Sequence, residues 1–418
     1  MVKIKHKMSD HQRMQIQHAQ HKNDFFAKMK YVCDAFGGKG TFAMMPLKYQ
    51  VILYQVRVHS TKAIAAKDST LKASTIKKIN LIYREISLYY KLDILPNNES
   101  ISVKDFFSIC LSLQYLLAVI KNKSELNEWV IPFVDRLVDF EAIDVILKAE
   151  EILSDIHCLL AVEFCDIQKR IIWFEHNLEF PTEKTGGSSI LEIHCDKPKV
   201  QQIHSNNEIR SAWLLSWAIY SIGYKEVFIK LSYFKNDVSD EIEIPVFVQA
   251  HAFLRLYERI DCFNNSLLQL SLFEAFVFPK VIKTTENKAL VEFRMMNQKF
   301  GYFLCEYVDN VILVRSFLFI TNNGTPEGKK LYELTGLGKL DKKYLVIDKL
   351  SSFIHSDIAK NETLKSLFIA VGCENLLEIN DIVVELCTQQ NEHNIASLIS
   401  EYLNKDGGSM DLFEDEED

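Results

Sequence analysis

ALVEFRMMNQKFGYFLCEYVDNVILVRSFLFI, residues 289–320, decides the fold class. Within 289–296, Val291, Phe293 and Met295 alternate with Glu292 and Arg294, and this period of two is that of a half-buried strand. The runs 281–284, 300–307 and 311–320 are similarly rich in β-branched and aromatic residues. The turns between them, Glu286-Asn287-Lys288, Asn297-Gln298-Lys299 and Asp309-Asn310, are short and polar. Consecutive strands joined so tightly pair antiparallel as a meander. Two helices precede it, the first carrying His251 and the second covering about 266–278. Thr325-Pro326-Glu327 opens another helix, with Thr at the N-cap, Pro at the first helical position and an acid in the first turn. Upstream, 190–195 and 227–234 read as strands flanking a helix over 208–222, whose Trp213 and Trp217 share a face. EIEIPVFV, 241–248, pairs with 227–234 as a hairpin, and Pro245 predicts an edge strand. Residues 345–347 add a last strand. The whole, 188–348, is an α+β domain built on an antiparallel sheet.

Either side of it the pattern turns helical. Apolar residues at three- and four-residue spacing over 48–59, 70–90, 103–120, 127–137 and 140–178 predict an N-terminal helical bundle over 41–180, with breaks at Asn97-Asn98 and Pro132. PTEKTGGSS, 181–189, is a run of turn formers and the predicted domain boundary. Residues 1–40 are rich in His, Gln and Lys and read as a flexible basic arm. A C-terminal helical segment follows at 349–404, and residues 405–418 form a disordered acidic tail around Leu412 and Phe413.

The chain has 418 residues, 48% hydrophobic and 25% charged, with a net charge of -8. That is a globular composition, sufficient for two or three cores. The acidic balance argues against a coat of nucleic acid and confines RNA to a local basic site. Nine cysteines without a CxxC pair predict reduced, buried thiols rather than a disulfide framework. No uninterrupted apolar run reaches 18 residues, so a cytoplasmic protein without a membrane partner is expected.

The chemistry concentrates in QAHAFLRLYERI, 249–260. At about 100° per residue, His251, Arg255, Glu258 and Arg259 fall on one face of a helix. A titratable imidazole beside fixed guanidinium groups suits a phosphodiester, and equally suits the wet side of an amphipathic helix. Arg294 faces away from its strand's core side. Arg315, on one face with Phe317, Phe319 and Thr321, needs an acid or a phosphate as partner.

The motif HAxxRxxER at His251, Ala252, Arg255, Glu258 and Arg259, on the first of two helices before a meander, resembles the RelE/ParE-like superfamily of small ribonuclease toxins over about 248–331. The resemblance implies metal-free RNA cleavage. A base activates the ribose 2'-hydroxyl, an acid protonates the leaving oxygen and cations stabilise the phosphorane. For that chemistry His251, Arg255 and Glu258 of the motif, with Arg294 and Arg315 as further bidentate phosphate contacts by residue type, are the expected catalytic set, and Arg259 and Thr321 are expected to bind RNA. Those toxins are small and basic, whereas this segment is embedded in an acidic chain. A second reading therefore stands beside the first: a non-enzymatic interaction or regulatory scaffold holding a protein partner through its helical segments or its tail.

The remaining constellations are bland. His6, His11, His18 and His21 lack companion ligands, and His157-Cys158, Cys165 and His194-Cys195 lack paired metal spacing, so no metal and no cofactor is expected. Gly37-Gly38-Lys39-Gly40-Thr41 lacks the phosphate-loop spacing and reads as a hinge. Lys72, Lys77, Lys78 and Arg84 fit a solvated helix face, or a docking surface for an acidic partner such as the tail.

Overall fold

A computed structural model describes residues 10–96, 99–121, 129–131, 143–179, 185–205, 208–236, 238–354, 356–379, 384, 399 and 402. The expected acidic tail, the helix at 127–137 for the most part, the breaks at Asn97-Asn98 and Pro132, and most of 380–404 lie outside them. The fold is α+β, and the chain divides into two compact units. One comprises 1–161, 172–196 and 218–223, the other 162–171, 197–217 and 224–418.

The first unit opens with α1 (Asp10–Gly37), a single 28-residue helix rather than a loose arm. Phe25, Met29, Val32, Cys33 and Phe36 form a buried stripe at helical spacing in its second half, so this half is packed. Next come α2 (Thr41–Met44), α3 (Leu47–Val56), strand β1 (Lys62–Ala65) and α4 (Ala73–Tyr89). Asn80 of α4 clips onto β1: its amide donates to the Ala63 carbonyl and its oxygen accepts from the Ala63 N–H, both at 2.8 Å. That satisfies backbone groups on a strand edge. A short pair, β2 (Lys91–Leu95) and β3 (Glu99–Ser102), leads into α5, which comprises Val103–Asp105, a π-helical turn at Phe106–Cys110, and Leu111–Lys121. Its stretch Val103–Ile120 is long and apolar enough to cross a membrane, and most of it is buried inside the unit.

α6 (Ile143–Phe164) ends well short of the helix expected to reach residue 178. IIWFEHNLE instead forms β4 (Ile171–Glu179), as its β-branched and aromatic content favours. β4 and β5 (Ser188–Asp196) join β1 in a three-stranded sheet ordered β1-β5-β4, with β1 parallel to β5. The turn formers at 181–189 therefore connect two strands of one sheet and do not separate domains. The bundle expected over 41–180 is a mixed unit: β1, β2 and β3, at four or five residues each, carry too few residues for a period to register, and β4 continues an apolar stretch that also fits a helix.

The second unit holds the large sheet. Its strands are β6 (Val200–Ser205), β7 (Glu208–Leu214), β10 (Phe228–Lys230) and β11 (Glu243–Gln249), with β8 (Ser216–Ile219) and β9 (Gly223–Glu226) falling where the chain passes between units. After β11 come α7 (Ala250–Arg259) and α8 (Asn265–Val277), then the meander β12 (Val281–Thr285), β13 (Lys288–Met295), β14 (Gln298–Val308) and β15 (Val311–Phe319). The order is β12-β13-β14-β15-β11-β7-β6, with β10 also paired to β11. The meander is as expected. Two expectations fail. The helix over 208–222 is instead strands, in which Ala212 and Leu214 are buried and Arg210 is exposed. In addition, β11 is interior, pairing parallel with β15 and antiparallel with β7. Pro245 is tolerated because those two pairings begin at Val246 and Phe247, beyond it.

One face of the sheet buries Ile203, Ala212, Leu214, Phe247, Val311 and Leu313. The other receives α7 and α8, through Phe253 against Trp213 and Phe276 against Phe303. Beyond β15, Thr325 caps α9 (Pro326–Thr335) by accepting from the Gly328 N–H, and Gly336 ends it in the left-handed region. Then follow α10 (Lys339–Tyr344), α11 (Leu350–Ile354) and α12 (Glu362–Ala370). Residues 345–347, expected as a strand, are turn.

Candidate phosphate site at the end of the parallel strand pair

β11 and β15 run parallel as neighbours, so their carboxyl ends open on the same side of the unit. Their pairing stops at Val248↔Val314, while β15 continues to Phe319. Over that extension β15 has β14 on one edge and, among the described residues, no strand on the other. The chain leaves β11 directly into α7, and between that helix and the strand extension lies a cavity of about 350 Å³. A crevice at the carboxyl ends of adjacent parallel strands is a recurrent ligand position.

Its walls are cationic. His251, Arg255 and Arg259, at i, i+4 and i+8, present one ridge of α7, and Lys339, Lys342 and Lys343 come from α10, against the single acid Asp348. These cations have different tasks. Arg259 is ion-paired with Asp348, both side chains largely buried. Lys342 is buried and donates to the carbonyls of Thr321 and Gly328, each at 2.9 Å, and to the Asn323 side chain. Burial pulls its amine down to about 8. Arg255 bonds Glu258 at 2.6 Å on a half-exposed surface. Lys339 and Lys343 are exposed, and no ion pair holds either among the described residues. These two and Arg255 are the groups open to an incoming anion.

Nothing among the described residues hydrogen-bonds the His251 ring. Burial lowers its pKa, the nearby Arg255 and Arg210 guanidinium groups lower it further, Glu258 opposes them and Lys339 adds to the lowering. The imidazole is therefore biased toward its neutral form near neutrality.

The sheet divides the expected catalytic set. Arg294 lies on β13 with its guanidinium on Glu292 at 2.8 Å and on the Asn297 carbonyl. Arg315 pairs with Glu306 at 2.8 Å. Leu304 faces Ser316 and Cys305 faces Val314, which leaves Arg315 as the extra residue of a β-bulge. Phe317 packs on Phe303, whereas Glu306 is three residues further along β14 and so on the opposite face. Arg315 thus leaves the face it was expected to share with Phe317. Both arginines lie on the side of the sheet away from α7, and neither lines the cavity. Thr321 does line it, but is fully buried with its hydroxyl donated to the Ile347 carbonyl. Glu258 is occupied by Arg255. Sequence reasoning missed Lys339 and Lys343, whose signal is the basic cluster in KLDKKY just past the Gly336 cap.

The two arginine pairs differ in burial and hence in energetic weight. Arg255→Ala is expected to change stability by less than about 1 kcal/mol, because half-exposed pairs are screened by water. Arg259→Ala leaves Asp348 without its partner and is expected to cost about 2 kcal/mol. Urea denaturation of the two variants checks the ordering, and equal losses would contradict it.

No family model, no curated protein and no solved structure matches the chain.

Proposed function

We propose that this cavity binds the phosphodiester backbone of RNA. The observation that carries the reading is the placing of Arg255, between His251 and Arg259 on one ridge of α7, in the same cavity as Lys339 and Lys343, which no ion pair holds among the described residues, at the end of a parallel strand pair. Three open cations, Arg255, Lys339 and Lys343, spread along one cavity suit successive phosphates of a chain better than a single anion. Guanidinium groups supply bidentate contacts and ammonium groups supply point charges. The aromatic residues lining the cavity, Phe317 and Phe319, are buried, so stacking on bases has no platform there. Recognition then runs through phosphates and is indifferent to sequence. The formal charge of -8 makes this a local site on an acidic protein.

A second reading, cleavage at the same site, is favoured by His251: a free ring with a lowered pKa is fit to take a proton from a ribose hydroxyl. An acid to complete the pair is not assembled beside it, since Glu258 is held by Arg255. Binding is thus the main conclusion and cleavage the subsidiary one. Fluorescence anisotropy with a labelled single-stranded RNA tests the first. The expected outcome is saturable binding that weakens steeply with salt, and that Arg255→Ala weakens by several-fold with a shallower salt slope. Incubating the same RNA with wild type and His251→Ala tests the second: cleavage present in the wild type and lost in the variant supports it, and intact RNA in both removes it.

A further inference from the structure

In the first unit, β4 and β5 lie side by side and present Glu175, Glu192 and His194 on one face of their sheet. One ligand-capable atom from each lies within 4.8 Å of the others. The opposite face is the core side, where Ile172, Phe174, Leu191 and Ile193 are buried.

Three observations distinguish this cluster from a chance meeting of surface charges. First, the His194 Nε2 atom is closed off from solvent and has no hydrogen-bond partner among the described residues. It lies 3.5 Å from Glu175 Oε2, close enough for attraction but without hydrogen-bond geometry. An imidazole nitrogen buried beside carboxylates and bonded to nothing lacks a cation or a proton donor. Second, the ring is pre-oriented. Trp173 stacks flat on it, centroids 3.7 Å apart with 4° between planes, and the indole N–H is anchored on Asp196 at 2.6 Å. Third, the Asn177 amide reaches Glu192 at 3.5 Å, in the position of an outer support to a ligating carboxylate.

We infer that Glu175, Glu192 and His194 form a binding site for a divalent transition-metal ion of the Zn²⁺ type. One imidazole nitrogen and two carboxylates make a borderline-to-hard donor set that suits Zn²⁺ and its first-row neighbours. In tetrahedral geometry two bonds of about 2.1 Å hold their donor atoms about 3.4 Å apart, so atoms lying within 4.8 Å of one another close on an ion by approaching by up to about 1.4 Å. Glu175, half-exposed, has the freedom to make that movement. The ion offsets the repulsion of two adjacent carboxylates, satisfies the orphan nitrogen and staples β4 to β5. Three protein ligands leave a fourth position for water.

The test is isothermal titration of the full chain with Zn²⁺ at pH 7.5, with variants. The expected result is an ion bound with an affinity that falls at least tenfold in Glu192→Gln and further in His194→Ala, and is unchanged in the double variant His18→Ala/His21→Ala. Glu192→Gln keeps the shape of the side chain, so it decides the matter if His194→Ala fails to fold. Absence of binding, binding indifferent to Glu192→Gln, or binding abolished by His18→Ala/His21→Ala each overturns the assignment. The RNA reading concerns the other unit and is unaffected by any of these outcomes.

Discussion

Between pH 7.5 and pH 5 the first unit is expected to lose roughly 4 kcal/mol of stability through two histidines, His157 and His176, about 2 kcal/mol from each. His157 is 4% exposed, packs edge-on to Tyr220 and against Phe174, and neither of its ring nitrogens has a hydrogen-bond partner among the described residues. Burial, with a smaller contribution from nearby His176, holds its pKa down at about 3. Burial alone holds His176 at about 4, where its Nε2 shares a hydrogen bond with Ser189. Both folded values lie below the ordinary 6.5. The unfolded chain therefore takes up protons as pH falls through 6.5 while the native state does not, and stability declines across that window toward the folded values. Above pH 6.5 the contribution is fully present. At pH 5, 1.5 units below the unfolded value, each site costs about 2 kcal/mol. His157→Leu removes one titration without orphaning any partner, since the imidazole bonds nothing. Urea denaturation at the two pH values should therefore show the variant losing about half as much as the wild type. Equal losses would contradict the buried, neutral assignment of His157.

Gly328→Ala is expected to cost at least about 3 kcal/mol. Gly328 lies in the first turn of α9, where helix propensity alone favours alanine by about 1 kcal/mol. Sterics reverse the sign. A Cβ at this position would lie 1.9 Å from the Asn322 carbonyl oxygen and 2.6 Å from that of Thr321, and these are backbone atoms that cannot swing aside. Thr321, Asn322 and Asn323 form one wall of the phosphate cavity, and Lys342 is tied to Thr321 and Asn323 as well as to the Gly328 carbonyl. Relieving the clash displaces that wall, so stability and RNA affinity should fall together. Gly338→Ala is the control, because its Cβ would meet only the end of the Asp341 side chain, at 3.2 Å. Chemical denaturation of the two variants checks the contrast, and a Gly328→Ala protein as stable as wild type would refute it.

The meander and its two helices were legible in the sequence because each strand is long enough to display its period and each turn is polar and short. The cap at Thr325 was legible for a similarly local reason. Failures came where the deciding contact is distant. Trp213 and Trp217 sit four apart, as on a helix, but the sheet uses Ala212 and Leu214, two apart and both buried on one face. Pro245 marks an edge in most strands, and here it falls just outside the register that makes β11 interior. The site was legible in part. His251, Arg255 and Arg259 share a ridge because a helix is a local object. Arg315 was assigned to the wrong face because one bulged residue reverses every side chain after it, and a bulge is set by the partner strand. Lys339 and Lys343 reach the cavity only through the turn beyond α9. The Glu192 and His194 pair is an i, i+2 signal on one strand, but Glu175 joins it across a strand pairing that spacing does not reveal.

The most direct test of the phosphate site removes the two cavity cations, Lys339 and Lys343, that no ion pair holds among the described residues. The double variant Lys339→Ala/Lys343→Ala is compared with Lys72→Ala/Lys77→Ala, which deletes the same charge from exposed positions at the N-cap and in the second turn of α4 of the first unit. Both are titrated with labelled single-stranded RNA over a series of salt concentrations starting from low salt. The account predicts at least a tenfold loss of affinity in the first, with a salt slope shallower by up to about two, and a near wild-type curve for the second. Equal affinity in the two double variants, or RNA binding absent from the wild type, would contradict it.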